Sequence, residues 1–142
     1  MDELLERAIK LAVKYHKGQY DKGGNPYIEH PLRVMEDVES IEEKVLAILH
    51  DVLEDCDVSK DQLIKAGIPE YLVEKLEILC KGKNEKYFDY IDRIKADQRT
   101  INVKLSDLKD NMNLKRLKEI TEKDINRIEK YKKAKEILEG YK

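Results

Sequence analysis

Tryptophan is absent from the 142 residues, phenylalanine occurs once, and there are only 6 glycines and 3 prolines. A β-sandwich or barrel needs many turns and many β-forming side chains, so both are excluded and an all-α fold is expected. The 2 cysteines, Cys56 and Cys80, are far apart and make no CxxC pair, which argues against a zinc knuckle or a disulfide framework and for reduced thiols. Long apolar runs are missing as well. The longest covers residues 45–49, and residues 1–10 (MDELLERAIK) carry acids where a signal peptide has a basic segment. A soluble, cytoplasmic protein is expected, and no linker or low-complexity tract divides the chain, so residues 1–142 are read as one compact helical bundle.

Net charge is equally scarce. Lys+Arg 28 against Asp+Glu 30 leaves −2, too weak a field to recruit a nucleic acid or an anionic membrane. The signs are nonetheless divided along the chain, since residues 1–80 hold 10 Lys/Arg against 18 Asp/Glu and residues 81–142 hold 18 against 12. Such a division suits a site that binds a metal on one side and a phosphate on the other, or simply reflects solvated helix faces. Charged residues make up 41% of the chain, against about 25% in ordinary domains, and much of this excess is helix surface. Nothing in the sequence fixes an oligomeric state.

Apolar spacing predicts helices over 2–17, 31–39, 42–55, 59–67, 69–80, 85–95, 99–117 and 121–139, with Pro31 starting the second. Between the first two lies GQYDKGGNPYIEHP, a loop long enough to suggest function rather than connection. On a helical wheel of about 100° per residue, Val45, Leu46, Ile48, Leu49, Val52 and Leu53 form one core-facing arc. His50, Asp51, Glu54 and Asp55 fall on the opposite face, with Ala47 among them and no Lys. Three carboxylates and an imidazole within two turns repel one another unless a cation sits over them, so a divalent metal is the natural counter-charge.

A His-Asp pair cannot complete a metal site alone. His30, at the entrance of the second helix, and His16, at the end of the first, are the other histidines. A further ligand could come from VKLSDLKDNM, in which Lys104, Asp107 and Asn111 share one helical stripe. There Asp107 could ligate, Asn111 could hydrogen-bond a substrate and Lys104 could meet a phosphate.

The loop QYDKGGNPYIEHPLRV, the helix AILHDVLEDCD and the segment VKLSDLKDN together resemble, in order and spacing, the HD-domain metal-dependent phosphohydrolases. Within them the chain is most similar to the alarmone (ppGpp) hydrolases of the RelA/SpoT type and the small stand-alone Mesh1-like enzymes. The resemblance implies a divalent ion, typically Mn²⁺, held by His30, His50, Asp51 and Asp107, with His16 outside the ligand set. It implies that Glu54 and Asp55 orient and activate water, and that Lys22, Tyr27, Asn111, Arg127 and Tyr131 line a pocket for a small nucleotide. It also implies hydrolysis of (p)ppGpp to GDP or GTP and pyrophosphate; no synthetase domain is expected, since nothing of the 142 residues is left after the last predicted helix. One position departs from the family: Asp21 stands where relatives carry an Arg near guanine. That keeps open an HD-type phosphatase or pyrophosphatase for another nucleotide (a deoxynucleotide or NADPH). A non-catalytic metal-nucleotide sensor is the remaining alternative; it predicts a degraded ligand position, and none is degraded.

Overall fold

Asp2 opens the first helix by accepting the backbone N–H groups of Leu4 and Leu5 on its carboxylate, and α1 runs over Glu3–His16. Side-chain caps of this kind are worth about 1 kcal/mol because they satisfy donors with no partner inside the helix. Gly18, at a φ of 84°, makes the left-handed turn that leaves the helix. The computed structural model describes residues 2–117 and 119–141. All eight α-helices described match segments expected from the sequence, and the one β feature among the described residues is an isolated antiparallel bridge between Tyr20 and Pro26. That bridge folds the long loop into a narrow hairpin, with Asp21 Oδ1 accepting the N–H groups of Gly23 and Asn25 at its tip.

Helix α2 (Glu29–Glu36) begins two residues earlier than expected. Pro31 sits within its first turn, where the missing N–H costs nothing, so proline marks the turn rather than its first residue. The central element is α3 (Ile41–Asp55), closed at its start by a reciprocal capping box between Ser40 and Glu43. It packs against α1, α2, α5 and α7, and Val45, Leu46, Ala47, Ile48, Leu49 and Val52 are fully buried. The wheel's division into a core arc and an opposite face is therefore incomplete. Ala47, His50 and Asp51 are buried too, because α2 and α7 cover the side that carries the polar groups.

Two short helices follow, α4 (Lys60–Lys65) and α5 (Glu70–Ile78), the latter packed on α3, and then α6 (Tyr87–Ile94), packed on α7 and α8. Helix α7 spans Gln98–Asn111 and stops short of the expected 117. Asn113 caps a following 3-10 turn at Leu114–Arg116 by accepting from the Lys115 N–H, so Leu114 leaves the helical register. Helix α8 (Glu122–Glu139) starts on a Thr121–Asp124 capping box and packs on α6 and α7. No described helix is long and apolar enough to cross a membrane.

Candidate metal and nucleotide site

Three helices bring the expected ligands to one point. His30 comes from the first turn of α2, His50 and Asp51 from the inner face of α3, and Asp107 from α7. All four are buried, at 4%, 3%, 7% and 4% exposure, which is unusual for ionisable side chains unless they are paired or ligate a metal. His30 Nε2 lies 2.8 Å from Asp107 Oδ1 and 3.7 Å from Asp51 Oδ2. His50 Nε2 lies 3.3 Å from Asp107 Oδ1 and 3.2 Å from Asp51 Oδ1.

The decisive atom is His50 Nε2, which is buried and has no hydrogen-bond partner despite those short distances. On the other side of the ring, Nδ1 meets the Ala47 carbonyl at 2.7 Å. A carbonyl only accepts, so Nδ1 carries a hydrogen and Nε2 is left to point into the carboxylates. An orphaned imidazole nitrogen beside two acids is what a ligand looks like before an ion is placed, and His30, His50 and Asp107 offer donor atoms within 4.8 Å of one another. The residues present therefore fit a divalent ion with imidazole and carboxylate ligands.

The electrostatics agree. Burial pulls the His50 imidazole down, but Asp51 and Asp107 outweigh it and push it up to about 10. His30 follows the same balance to about 9, burial being overcome by hydrogen bonds to Asp107 and Asp110. Protons on the two rings thus substitute for a cation among the acids. Burial would raise the Asp107 carboxyl, yet Lys104 and the two histidines hold it well below the usual range.

Around this centre the other expected residues divide. Tyr27 donates its hydroxyl to Asp51 Oδ2 at 2.7 Å, while burial and the Asp51 charge raise its phenol far above the ordinary value. Lys22, Tyr27, His30, Asn111, Arg127 and Tyr131 line one cavity of about 190 Å³. Leu114 and Leu117, whose apolar spacing extended the expected helix, turn out to face that cavity. Asp124 also lines it, pairing with Arg127 and lying 3.9 Å from Lys22, so both cations share one carboxylate. A larger groove of about 540 Å³, between the start of α3, α7 and α8, contains none of the expected site residues.

Lys104 is placed differently from its expected phosphate contact. Its ammonium bonds Asp107 Oδ2 at 2.9 Å and lies 5.1 Å from the centre of the Tyr90 ring, directed at the cluster from behind. Asn111 donates to Asp107 Oδ1 at 3.3 Å as well as facing the cavity. Glu54 and Asp55 form a second acidic group with Asp51. Although each keeps an exposed edge, partial desolvation and the Asp51 charge raise both carboxyls, while the Lys81 N–H, 2.9 Å from Glu54 Oε1, works against the rise. His16 stands outside the cluster with Nδ1 2.8 Å from Gln19 Oε1.

Sequence reasoning passed over Asp110 and Arg33. Asp110 Oδ2 lies 2.6 Å from His30 Nδ1, and Arg33 donates to both carboxylate oxygens at 2.8 and 3.1 Å. The available signal was spacing, since Asp110 follows Asp107 by three residues and Arg33 follows His30 by three.

Fold and cluster together give the architecture expected of an HD-domain protein, all-helical and organised around a buried His-Asp pair. A solved structure described as a metazoan orthologue of SpoT that hydrolyses ppGpp has the same fold, with a TM-score of 0.81 at 20% identity over 97% of this chain and 86% of that one. No family model matches the sequence. The chain is 32% identical over 127 residues to a guanosine-3′,5′-bis(diphosphate) 3′-pyrophosphohydrolase of Vibrio cholerae, covering 78% of this chain and 18% of that protein. It is 36% identical over 122 residues to the protein of the same name in Aquifex aeolicus, covering 78% and 17%. A Streptomyces coelicolor GTP pyrophosphokinase is 30% identical over 149 residues, covering 96% and 17%. Over this matched region the chain is similar to RelA/SpoT-type proteins, and it spans under a fifth of the length of these relatives.

Proposed function

We propose that the chain is a metal-dependent phosphohydrolase that cleaves the 3′-diphosphate from (p)ppGpp, leaving GDP or GTP and pyrophosphate. The observation that carries this reading is a buried His/Asp cluster with an orphaned imidazole nitrogen, beside a cavity that gathers Lys22, Asn111, Arg127 and Tyr131. His30, His50, Asp51 and Asp107 would hold the ion, with Mn²⁺ the expected metal. Once bound, such an ion polarises a phosphoryl oxygen and makes water a nucleophile near neutral pH. Glu54 and Asp55, next to Asp51 and with raised carboxyls, orient the attacking water and accept its proton. Lys22 and Arg127 supply positive charge toward the phosphates, and Tyr131 offers an aromatic wall to the nucleoside. The relatives named as 3′-pyrophosphohydrolases support the substrate.

A second reading keeps the site and changes the nucleotide. It is favoured by Asp21, whose Oδ1 is committed to the N–H groups of Gly23 and Asn25 at the cavity rim, where the family carries an Arg. Incubating the Mn²⁺-loaded chain with ppGpp, deoxynucleotides and NADPH, followed by product analysis, separates the two. Release of pyrophosphate from ppGpp, abolished in Asp51→Ala, is the expected result. Untouched ppGpp alongside cleavage of another nucleotide establishes the second reading.

A further inference from the structure

The carboxylate of Asp110 stands between a cation on the protein's surface and a ring in its centre. Arg33 grips it with two parallel hydrogen bonds, Nε to Oδ1 at 2.8 Å and Nη2 to Oδ2 at 3.1 Å. The same Oδ2 lies 2.6 Å from His30 Nδ1, while the opposite nitrogen of that ring faces Asp107 at 2.8 Å. We propose that Asp110, anchored by Arg33, is a positioning residue that fixes the proton of His30 on Nδ1, so that Nε2 is presented to a divalent ion.

Chemistry supports each link. An ionised carboxylate accepts and cannot donate, so the 2.6 Å contact places a hydrogen on Nδ1. A bidentate guanidinium holds the carboxylate in one plane, which a single lysine contact would not do. Geometry fits as well, because His30 and Arg33 are one turn apart on α2 and meet Asp107 and Asp110, one turn apart on α7. The four side chains thus form two rungs between the helices, the inner rung carrying the site and the outer one orienting it.

The two histidines are supported unequally. His50 Nδ1 rests on the Ala47 carbonyl of its own helix, a neutral acceptor, whereas His30 Nδ1 rests on a charge supplied from another helix. A charged acceptor makes the imidazole a stronger donor through its other nitrogen, and outer partners of this kind are typically worth about 10- to 100-fold in metal affinity. The Asp110 side chain is 12% exposed and borders a surface recess of about 220 Å³, which Arg33 also lines. A small carboxylate from solution can therefore reach its place.

The inference rests on the metal site proposed above, and the test keeps the two apart. Mn²⁺ binding to the full chain is titrated by electron paramagnetic resonance for the wild type, Asp110→Asn, Asp110→Ala and Arg33→Met. Asparagine keeps an acceptor but loses the charge, so an affinity loss of about 10-fold is expected; alanine loses both, and a loss nearer about 100-fold is expected. Added formate should restore part of the alanine loss. In Zn²⁺-loaded protein, nitrogen NMR should find the His30 proton on Nδ1 in the wild type and lose that signature in Asp110→Ala. Arg33→Met leaves the Asp110–His30 pair in place and guards against a misfolded Asp110 variant; a loss of a few-fold is expected. If the Asp110–Arg33 pair only ties two helices together, metal-free melting falls while Mn²⁺ affinity and the formate response stay flat, and that result overturns the proposal. A wild type that binds no ion overturns the metal reading itself, whereas variants that bind like wild type overturn only the role of Asp110.

Discussion

The Tyr27 hydroxyl donates to Asp51 Oδ2 at 2.7 Å, and this bond ties the long loop to the centre of the helical bundle. Burial and the neighbouring carboxylate raise the Tyr27 phenol, so it remains a donor throughout the range in which the fold is stable. Tyr27→Phe keeps the ring between His16 and His30 but leaves Asp51 one donor short. A partly buried bond to a charged acceptor is worth about 1.5–3 kcal/mol, and a loss of that size is expected in urea unfolding of the metal-free protein. Mn²⁺ affinity should fall along with it. Unchanged stability and affinity would mean that the loop docks without help from this bond.

Proton and metal compete for the same atoms. In the metal-free protein His30 and His50 titrate at about 9 and about 10, against an ordinary value of 6.5 in the unfolded chain. Both rings hold their proton more tightly when folded. The stability they lend is therefore complete below about pH 6.5 and lost as pH rises through about 9 and 10. Chelator-treated protein should accordingly melt at progressively lower temperature across that window, and Mn²⁺ should remove most of the dependence. Each ion bound should also release protons, visible as buffer-dependent heat in calorimetry. Binding heats that do not vary with the buffer would exclude this exchange.

Glu54 gives a cleaner separation of chemistry from binding. Its Oε1 accepts the Lys81 N–H at 2.9 Å, an interaction that glutamine can reproduce, and it lies outside the buried ligand group. Glu54→Gln should bind Mn²⁺ as wild type does and keep KM within a few-fold. Its kcat should drop by about 10²–10⁴-fold, the usual contribution of a general base. A matching loss of metal affinity would reassign Glu54 to the ligand set.

Much of this site could be read from residue order, and what could not depends on packing. The His50–Asp51 pair stood out because residues 45–55 of α3 carry acids and no lysine, and Asp107 with Asn111 because both lie on one stripe of α7. The wheel of α3 found its most apolar arc but not what covers the other side, so Ala47, His50 and Asp51 were assigned to an opposing face when α2 and α7 enclose them. Leu114 illustrates the same limit, since an apolar residue in phase with a helix can equally line a cavity beyond its end. Asp110, next to Lys109, was passed over in the sequence. Only the meeting of α2 with α7 gives it His30 and Arg33 as partners.

Arg127 is where the nucleotide reading is most exposed to test. It projects from the first turns of α8 into the cavity and pairs with Asp124, the same residue that caps the helix through Thr121. A phosphate entering the cavity would compete with Asp124 for the guanidinium and for Lys22, which lies 3.9 Å from Asp124. Two consequences follow from that competition. Arg127→Ala should raise KM for ppGpp by about tenfold or more without altering Mn²⁺ affinity, because a charge-assisted contact to phosphate is lost and no ligand is touched. Asp124→Asn keeps an acceptor for the cap while freeing both cations, so KM should fall and its dependence on salt should steepen. Steady-state kinetics of both variants at low and high ionic strength decide the matter. If Arg127→Ala leaves KM unchanged, the guanidinium serves only to hold Asp124, and the phosphates must be bound elsewhere in the cavity.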